Sequence, residues 1–256
     1  MDRWVMDNAT LVRRVDVSES VARFLVRPDD GPAPFEPGQY LTLGLPEVDG
    51  RLLQRPYSTA ARRGAAGEHE FLIRRVHGGA LTPLLWQARV GHRLRIGRPK
   101  GLFTLLPDDA RTHLFVASGT GLAPFISMLE TLITIGRPPR SIVVHGVSHE
   151  RELAYRDRLE RWQRDGIVSY VPSISRPDDP SNAGWQGHRG RVGTILDEVC
   201  GELAVDPLAT VAYLCGNPEM ILAGERVLVE RGFGRGSIRS EHYWPISPRR
   251  PSAAPG

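Results

Sequence analysis

The rhythm of apolar and polar positions changes near the middle of the chain. Up to about Arg98, short segments of alternating character follow one another: "ATLVRRVDV", "VARFLVRP", "QYLTLGLP", "LLQRPYSTA", "EFLIRRV" and "HRLRIGRP". Regularly spaced strands of this kind, separated by Gly and Pro, predict an antiparallel barrel. One helix, over "LTPLLWQAR", interrupts them, with Thr82 expected as its N-cap and Pro83 at its first helical position. From about Thr112, strand-like "HLFVA", "SIVVHGV", "IVSYVPSI" and "VAYLCG" alternate with helix-like "LAPFISMLETLI", "ELAYRDRLERWQRD", "VGTILDEV" and "PEMILAGERVLVERG". That alternation predicts a parallel sheet wrapped by helices. The expected fold is a two-domain α+β chain. A Greek-key antiparallel β-barrel spans residues 1–106, an α/β parallel-sheet domain spans 107–244, and a Pro-rich mobile tail, "PISPRRPSAAPG", spans 245–256.

Composition narrows the partners. With 256 residues the chain can bury the cores of two ordinary domains. Its 33 basic and 29 acidic residues leave too mild an excess to predict nucleic acid, but fit phosphorylated cofactors or an acidic protein partner. The longest uncharged run, Leu114 to Leu129, is short and broken by Gly119, Gly121 and Pro124, so no membrane span is predicted. "MDRWVMDNATLVRRVDV" has no apolar core of signal-peptide length. The only cysteines, Cys200 and Cys215, can build neither a disulfide framework nor a four-cysteine iron–sulfur cluster. A cytoplasmic location is expected, with no metal site.

Three stretches carry the chemistry. "SGTGLAP" joins the first parallel strand to its helix, at the sheet edge where such folds bind ligands and where free backbone N–H groups favour an anion. It is not the dinucleotide fingerprint, because Pro124 holds the third glycine position and no acidic residue falls near Arg140. "CGNPEM" repeats the strand–turn–helix arrangement, with Asn217 as cap and Pro218 opening the helix, and puts the Cys215 thiol at the same edge. In "RPYSTA", strand alternation puts Arg55 and Tyr57 on one face and Pro56 and Ser58 on the other unless a bend intervenes. A guanidinium beside an aromatic ring suits a ligand with a phosphate and a flat ring.

Together with "GGALTPLL", "GRPKGLF" and the terminal "SEHYW", these stretches resemble, in collinear order from about Leu11 to Trp244, the ferredoxin/flavodoxin–NADP⁺ reductase family, in its bacterial branch. The resemblance implies two cofactors, FAD and NADP. On the FAD side it implies that Arg55 holds the pyrophosphate, Tyr57 lies against the isoalloxazine and Ser58 reaches the flavin's reactive edge, with Pro56 between them. Gly79, Ala80, Leu81 and Thr82 would complete the pyrophosphate cradle, Ile73, Arg74, Arg75 and Val76 would add strand contacts, and Trp244 would stack on adenine. Ser240 would cover the flavin's other face. Thr120 and Gly121 would meet the NADP pyrophosphate, Cys215 and Glu241 would sit near the nicotinamide, and Ser175, Arg176 and Arg191 would hold the 2′-phosphate. Ser148 departs from the family's pattern, which often has an arginine there; Arg151 is the nearby substitute.

The implied activity is hydride transfer from NADPH to flavin and release of single electrons to a carrier protein, ferredoxin or flavodoxin, by a monomer. Arg74, Arg75 and Lys100 are candidates for docking that acidic carrier. The competing readings are the reductase component of an oxygenase and a non-catalytic flavin- or nucleotide-binding regulator.

Overall fold

The computed structural model describes residues 7–47, 50–60, 67–106, 108–136 and 139–243. Trp244 and the tail after it lie outside the described residues. The first sheet is antiparallel and contains β1 (Ala9–Asp16), β2 (Val21–Pro28), β3 (Tyr40–Pro46), β4 (Leu52–Ser58), β5 (His69–Arg74) and β6 (Arg93–Ile96), in the order β4-β3-β6-β1-β2-β5. Its outer strands meet through a bridge between Thr59 and Phe71, and the Ala60 N–H donates to the Glu70 carbonyl at 2.8 Å, so the sheet closes into a barrel. Alternation is the cause of its core: Ala22, Phe24 and Val26 of β2 and Leu41, Leu43 and Leu45 of β3 all point inward. Helix α1 (Leu81–Gln87) contributes Leu81 and Leu85 to the same cluster.

The second sheet is wholly parallel. It contains β7 (Thr112–Ser118), β8 (Ser141–Val147), β9 (Val168–Ile174), β10 (His188–Arg189), β11 (Thr210–Gly216) and β12 (Ile238–His242), in the order β10-β9-β8-β7-β11-β12. Helices α2 (Ala123–Ile135), α3 (Arg156–Arg164), α4 (Val192–Glu202) and α5 (Pro218–Glu230) alternate with these strands. Every position of β8 and β11 is buried, which is why these strands show no alternation and are mostly apolar, with Ser141, His145 and Thr210 as buried polar exceptions. Strand order reverses at β7, with β8 on one side and β11 on the other, so the crevice beyond the ends of β7 and β11 is the switch point where this architecture binds ligands.

The two domains share one core. On β5, Phe71 and Ile73 face the barrel interior, while Leu72 joins Val21 and Ala60 in packing with Phe115, Leu122 and Phe125 of the second domain. The Tyr155 hydroxyl donates to Glu70 of the barrel at 2.8 Å, and Arg23 pairs with the same carboxylate. An apolar, polar-pinned junction of this kind opposes free rotation of the domains.

Three local expectations change. Thr82 is not an N-cap: Ala80 occupies that position, and the Thr82 hydroxyl accepts from the Val76 N–H at 2.9 Å. The helix expected over "ELAYRDRLERWQRD" starts only at Arg156, because residues 150–152 form a 3₁₀ turn and Tyr155 takes a left-handed backbone (φ 58°) to reach Glu70. Strand β12, "IRSEH", has no strand pattern of its own and owes its form to parallel pairing with β11.

Candidate active site

A cavity of about 920 Å³ spans both domains. From the barrel it is lined by Arg55, Pro56, Tyr57 and Ser58 at the end of β4, by Ile73 and Arg74 of β5, and by Val76 and Gly79, Ala80, Leu81 and Thr82 at the start of α1. From the sheet it is lined by Thr120, Ser148, Ser175, Arg176, Arg191 and Asn217, among others. All four residues of "RPYS" reach it, so both faces of the strand's last turn contribute. Arg75, exposed, and Gly121, Ser240, Cys215 and Glu241 are not among the lining residues.

The two turns that close the sheet edge lock together. A methyl group at Gly121 would sit 2.1 Å from the Cys215 carbonyl oxygen, and one at Gly216 would sit 2.4 Å from the Ser118 hydroxyl. Gly121 is therefore a packing residue that lets "SGTG" press on "CGNP"; Ser118, Gly119 and Thr120 are the members that line the cavity. The Ser118 hydroxyl accepts from the Asn217 N–H at 2.8 Å, and Asn217 caps α5 as expected, accepting from the Glu219 N–H. Across the crevice His145 meets the Gly119 carbonyl at 3.0 Å; burial pushes this imidazole down to about 4, so it stays neutral and donates to that oxygen.

Ser58, Cys215, Glu241 and Tyr243 form one cluster. The Ser58 hydroxyl is hydrogen-bonded to the Glu241 carboxyl and also reaches the Tyr243 phenol, which contacts the Cys215 thiol. The Tyr243 hydroxyl donates to the Thr120 carbonyl at 2.8 Å, tying the chain's last described residue to the first turn. Burial, then the Glu241 charge, pushes the Cys215 thiol well up, so it is neutral. Burial raises Glu241 to about 7 against the smaller opposing effect of the Ser58 hydrogen bond, and its Oε2 is buried without a partner among the described atoms.

Because the folded carboxyl binds its proton more tightly than the unfolded one, Glu241 contributes stability below its ordinary value of 4.5 that is lost as pH rises through about 7. Glu241→Gln is expected to flatten the decline in melting temperature between about pH 4.5 and 7. An unchanged slope in thermal scans across that window would remove Glu241 from this role.

Two residues have partners that the sequence did not suggest. Arg74 grips Glu152 of the second domain with both terminal nitrogens, at 3.0 and 3.1 Å, and so is committed across the domain junction rather than free to dock a carrier. The Ser240 hydroxyl donates to Glu225 of α5 at 2.7 Å, and the residue of the terminal segment that reaches the cavity is Tyr243. Nothing but its place in "SEHYW" marked Tyr243.

The donor set fits the two nucleotides. At the barrel end, Arg55 is exposed beside Tyr57, whose phenol burial pushes up to about 12, keeping it a neutral aromatic surface. The Val76–Thr82 loop lines the same cavity; its Val76 and Gly79 N–H groups bond within the loop, to Thr82 Oγ1 and the Val76 carbonyl, and its later residues Ala80 to Thr82 begin α1. At the sheet end, Arg176 and Arg191 line the wall with the Ser148 and Ser175 hydroxyls. Arg191 lies 3.7 Å from Glu219, a loose pair with both side chains exposed. Arg151, exposed, is not among the lining residues.

Residues 8–105 match the family model described as an oxidoreductase FAD-binding domain, and residues 115–225 match an oxidoreductase NAD-binding domain. The chain is 35% identical to ferredoxin–NADP reductase B of Sorangium cellulosum over 82% of its own length and 85% of that protein's. The chain belongs to the ferredoxin–NADP reductase family. It is thus an oxidoreductase that transfers electrons between a nicotinamide nucleotide and FAD. The chain is also 31% identical to the anthranilate 1,2-dioxygenase electron transfer component of Acinetobacter baylyi over 93% of its own length, and spans only 64% of that protein. The fold matches the crystal structure of a ferredoxin–NADP⁺ reductase from Neisseria gonorrhoeae with bound FAD and NADP, with a TM-score of 0.80 at 24% identity over 93% of this chain and 98% of that one. No described helix is long and apolar enough to cross a membrane.

Proposed function

We propose that the protein is an NADPH-dependent reductase that exchanges electrons with a one-electron carrier protein, a ferredoxin or flavodoxin. The observation that carries the NADPH reading is the cation end of the cavity, where Arg176, Arg191, Ser148 and Ser175 converge without a carboxylate placed to grip a free ribose hydroxyl. Glu219, the one acidic residue of that wall among the described residues, faces Arg191 instead.

When bound, FAD takes two electrons from a reduced nicotinamide and can release them singly. The chain's own residues do the positioning. Arg55 and the Val76–Thr82 loop bind the FAD diphosphate, and Tyr57 supports the ring system. Thr120, held by the Tyr243 hydroxyl, lies where the second nucleotide's diphosphate enters. Ser58, which lines the cavity, stands between it and the Glu241 carboxyl, whose affinity for a proton burial raises. The neutral Cys215 thiol, fully buried, packs behind the cavity wall without adding charge to it. Holding two rings in register is the main source of rate in such chemistry.

The carrier reading is supported by the reductase names of relatives such as that of Sorangium cellulosum, and by a cysteine count too low for a four-cysteine cluster on this chain. The relation to oxygenase electron transfer components supports a second reading, in which the acceptor belongs to an oxygenase system.

Anaerobic mixing of the flavin-loaded protein with NADPH and with NADH tests the proposal. Flavin bleaching is expected at lower concentrations of NADPH than of NADH. Preference for NADH would overturn the cofactor assignment, and no bleaching by either would overturn the reductase assignment. Reoxidation by ferredoxin or flavodoxin, compared with an oxygenase component, separates the two acceptors.

A further inference from the structure

Asn182 is not among the cavity-lining residues, yet it joins the two segments that form the cavity's cation end. Its residue exposure is 2%, and it closes the 3₁₀ turn Pro180–Asn182, which Asp179 caps. Its Nδ2 donates to the Arg176 carbonyl at 2.8 Å and to the Ser148 carbonyl at 3.4 Å, while Oδ1 accepts from the Glu150 N–H at 2.9 Å. The amide has only one sensible orientation, since a flip would aim an oxygen at two carbonyls and a donor at an N–H. The turn itself does not need these bonds: its backbone is held by Asn182 N–H to Asp179 at 2.8 Å and Trp185 N–H to Asn182 at 2.9 Å. A second tie, His149 to Asp179 at 3.3 Å, joins the same two segments. Ser148 and Arg176, the residues whose carbonyls Asn182 grips, both line the cavity.

We propose that Asn182 is a positioning residue for 2′-phosphate recognition. By clamping the Arg176 carbonyl to the Ser148 segment, it sets the point from which the exposed Arg176 guanidinium and the neighbouring Ser175 hydroxyl reach the phosphate. A long side chain already loses rotamer freedom when it grips an anion, and an unclamped backbone would add the cost of ordering the loop. The proposal rests on the NADPH reading above.

Calorimetric titration of the flavin-loaded full chain with 2′,5′-ADP and with 5′-ADP tests it. Asn182→Asp keeps the acceptor and loses both donations; Asn182→Ser, smaller and neutral, loses the same contacts without adding charge. Both variants are expected to weaken 2′,5′-ADP about tenfold, the effect of losing hydrogen bonds that fix a charged contact, and to leave 5′-ADP within about twofold. In the Arg176→Ala background either should weaken 2′,5′-ADP by much less, within about threefold, since only the Ser175 hydroxyl is left to be positioned. Equal losses for both nucleotides, unchanged preference in both variants, or a full additional loss in the Arg176→Ala background would overturn the proposal. A parent protein that does not discriminate the two nucleotides would overturn the NADPH reading and this inference together, whereas a discriminating parent with indifferent variants overturns this inference alone.

Discussion

Replacing Arg176 with alanine is expected to lower kcat/KM for NADPH about tenfold or more while changing that for NADH by less than about twofold. A charge-assisted hydrogen bond to a phosphate contributes on the order of 1.5–3 kcal/mol, or about 10–100-fold, and an exposed site takes the lower end of that range. Arg176 is exposed and lines the cavity, so removing its guanidinium leaves no buried polar group unpaired and the loss falls on the ligand rather than the fold. Arg191 should matter less, because Glu219 already lies 3.7 Å from it and competes for its charge. Raising ionic strength should shrink the Arg176 effect, since exposed charges are screened over about 10 Å at 0.1 M salt. Steady-state kinetics of both variants with both nucleotides checks the order. Equal losses with NADPH and NADH would take Arg176 out of 2′-phosphate binding.

What the sequence disclosed and what it hid follow a physical line. Most strands were legible because each carries its own pattern: alternation where one face is wet, as over Phe24 to Arg27 of β2, and a mostly apolar segment without alternation where both are buried, as in β8. The Asn217–Pro218 helix start was legible because capping is local. Thr82 misled for the same reason in reverse: a hydroxyl near a helix start has other nearby N–H groups to accept from, and Val76 won. Strand β12 and the late start of α3 depend on long-range partners, β11 and Glu70, that no local window contains. Around the cavity, the residues embedded in recognisable turns were nameable from the sequence, and several of them line it, whereas the partners Glu152, Tyr243 and Asn182 were not. Each makes its contact with a residue far along the chain, Arg74, Thr120 and Ser148 respectively, which no local window contains.

Gly121→Ala is expected to be among the most damaging single-methyl changes at the sheet edge. The added carbon would lie 2.1 Å from the Cys215 carbonyl oxygen, 2.5 Å from its carbonyl carbon and 2.7 Å from the Gly216 Cα. All three are backbone atoms of the neighbouring turn, so no side chain can swing away and strands β7 and β11 must part at their ends. Overpacking of a core costs about 1–3 kcal/mol even where side chains can adjust, which corresponds to a fall of roughly 2–12 °C in melting temperature for a chain of this size, and a backbone clash belongs at the upper end. The functional loss should exceed the loss of stability. Cys215 would be displaced from Ser58, Glu241 and Tyr243, and a misplacement of about 1 Å at a reacting centre can cost about a hundredfold in rate. Gly201 on α4 is the control: a methyl group there meets nothing within 4 Å, and alanine should be neutral or add up to about 1 kcal/mol through helix propensity. Thermal unfolding and anaerobic flavin reduction of the two variants read both effects. A Gly121→Ala protein that melts and reduces like its parent would mean the two turns do not bear on each other as closely as their backbones indicate.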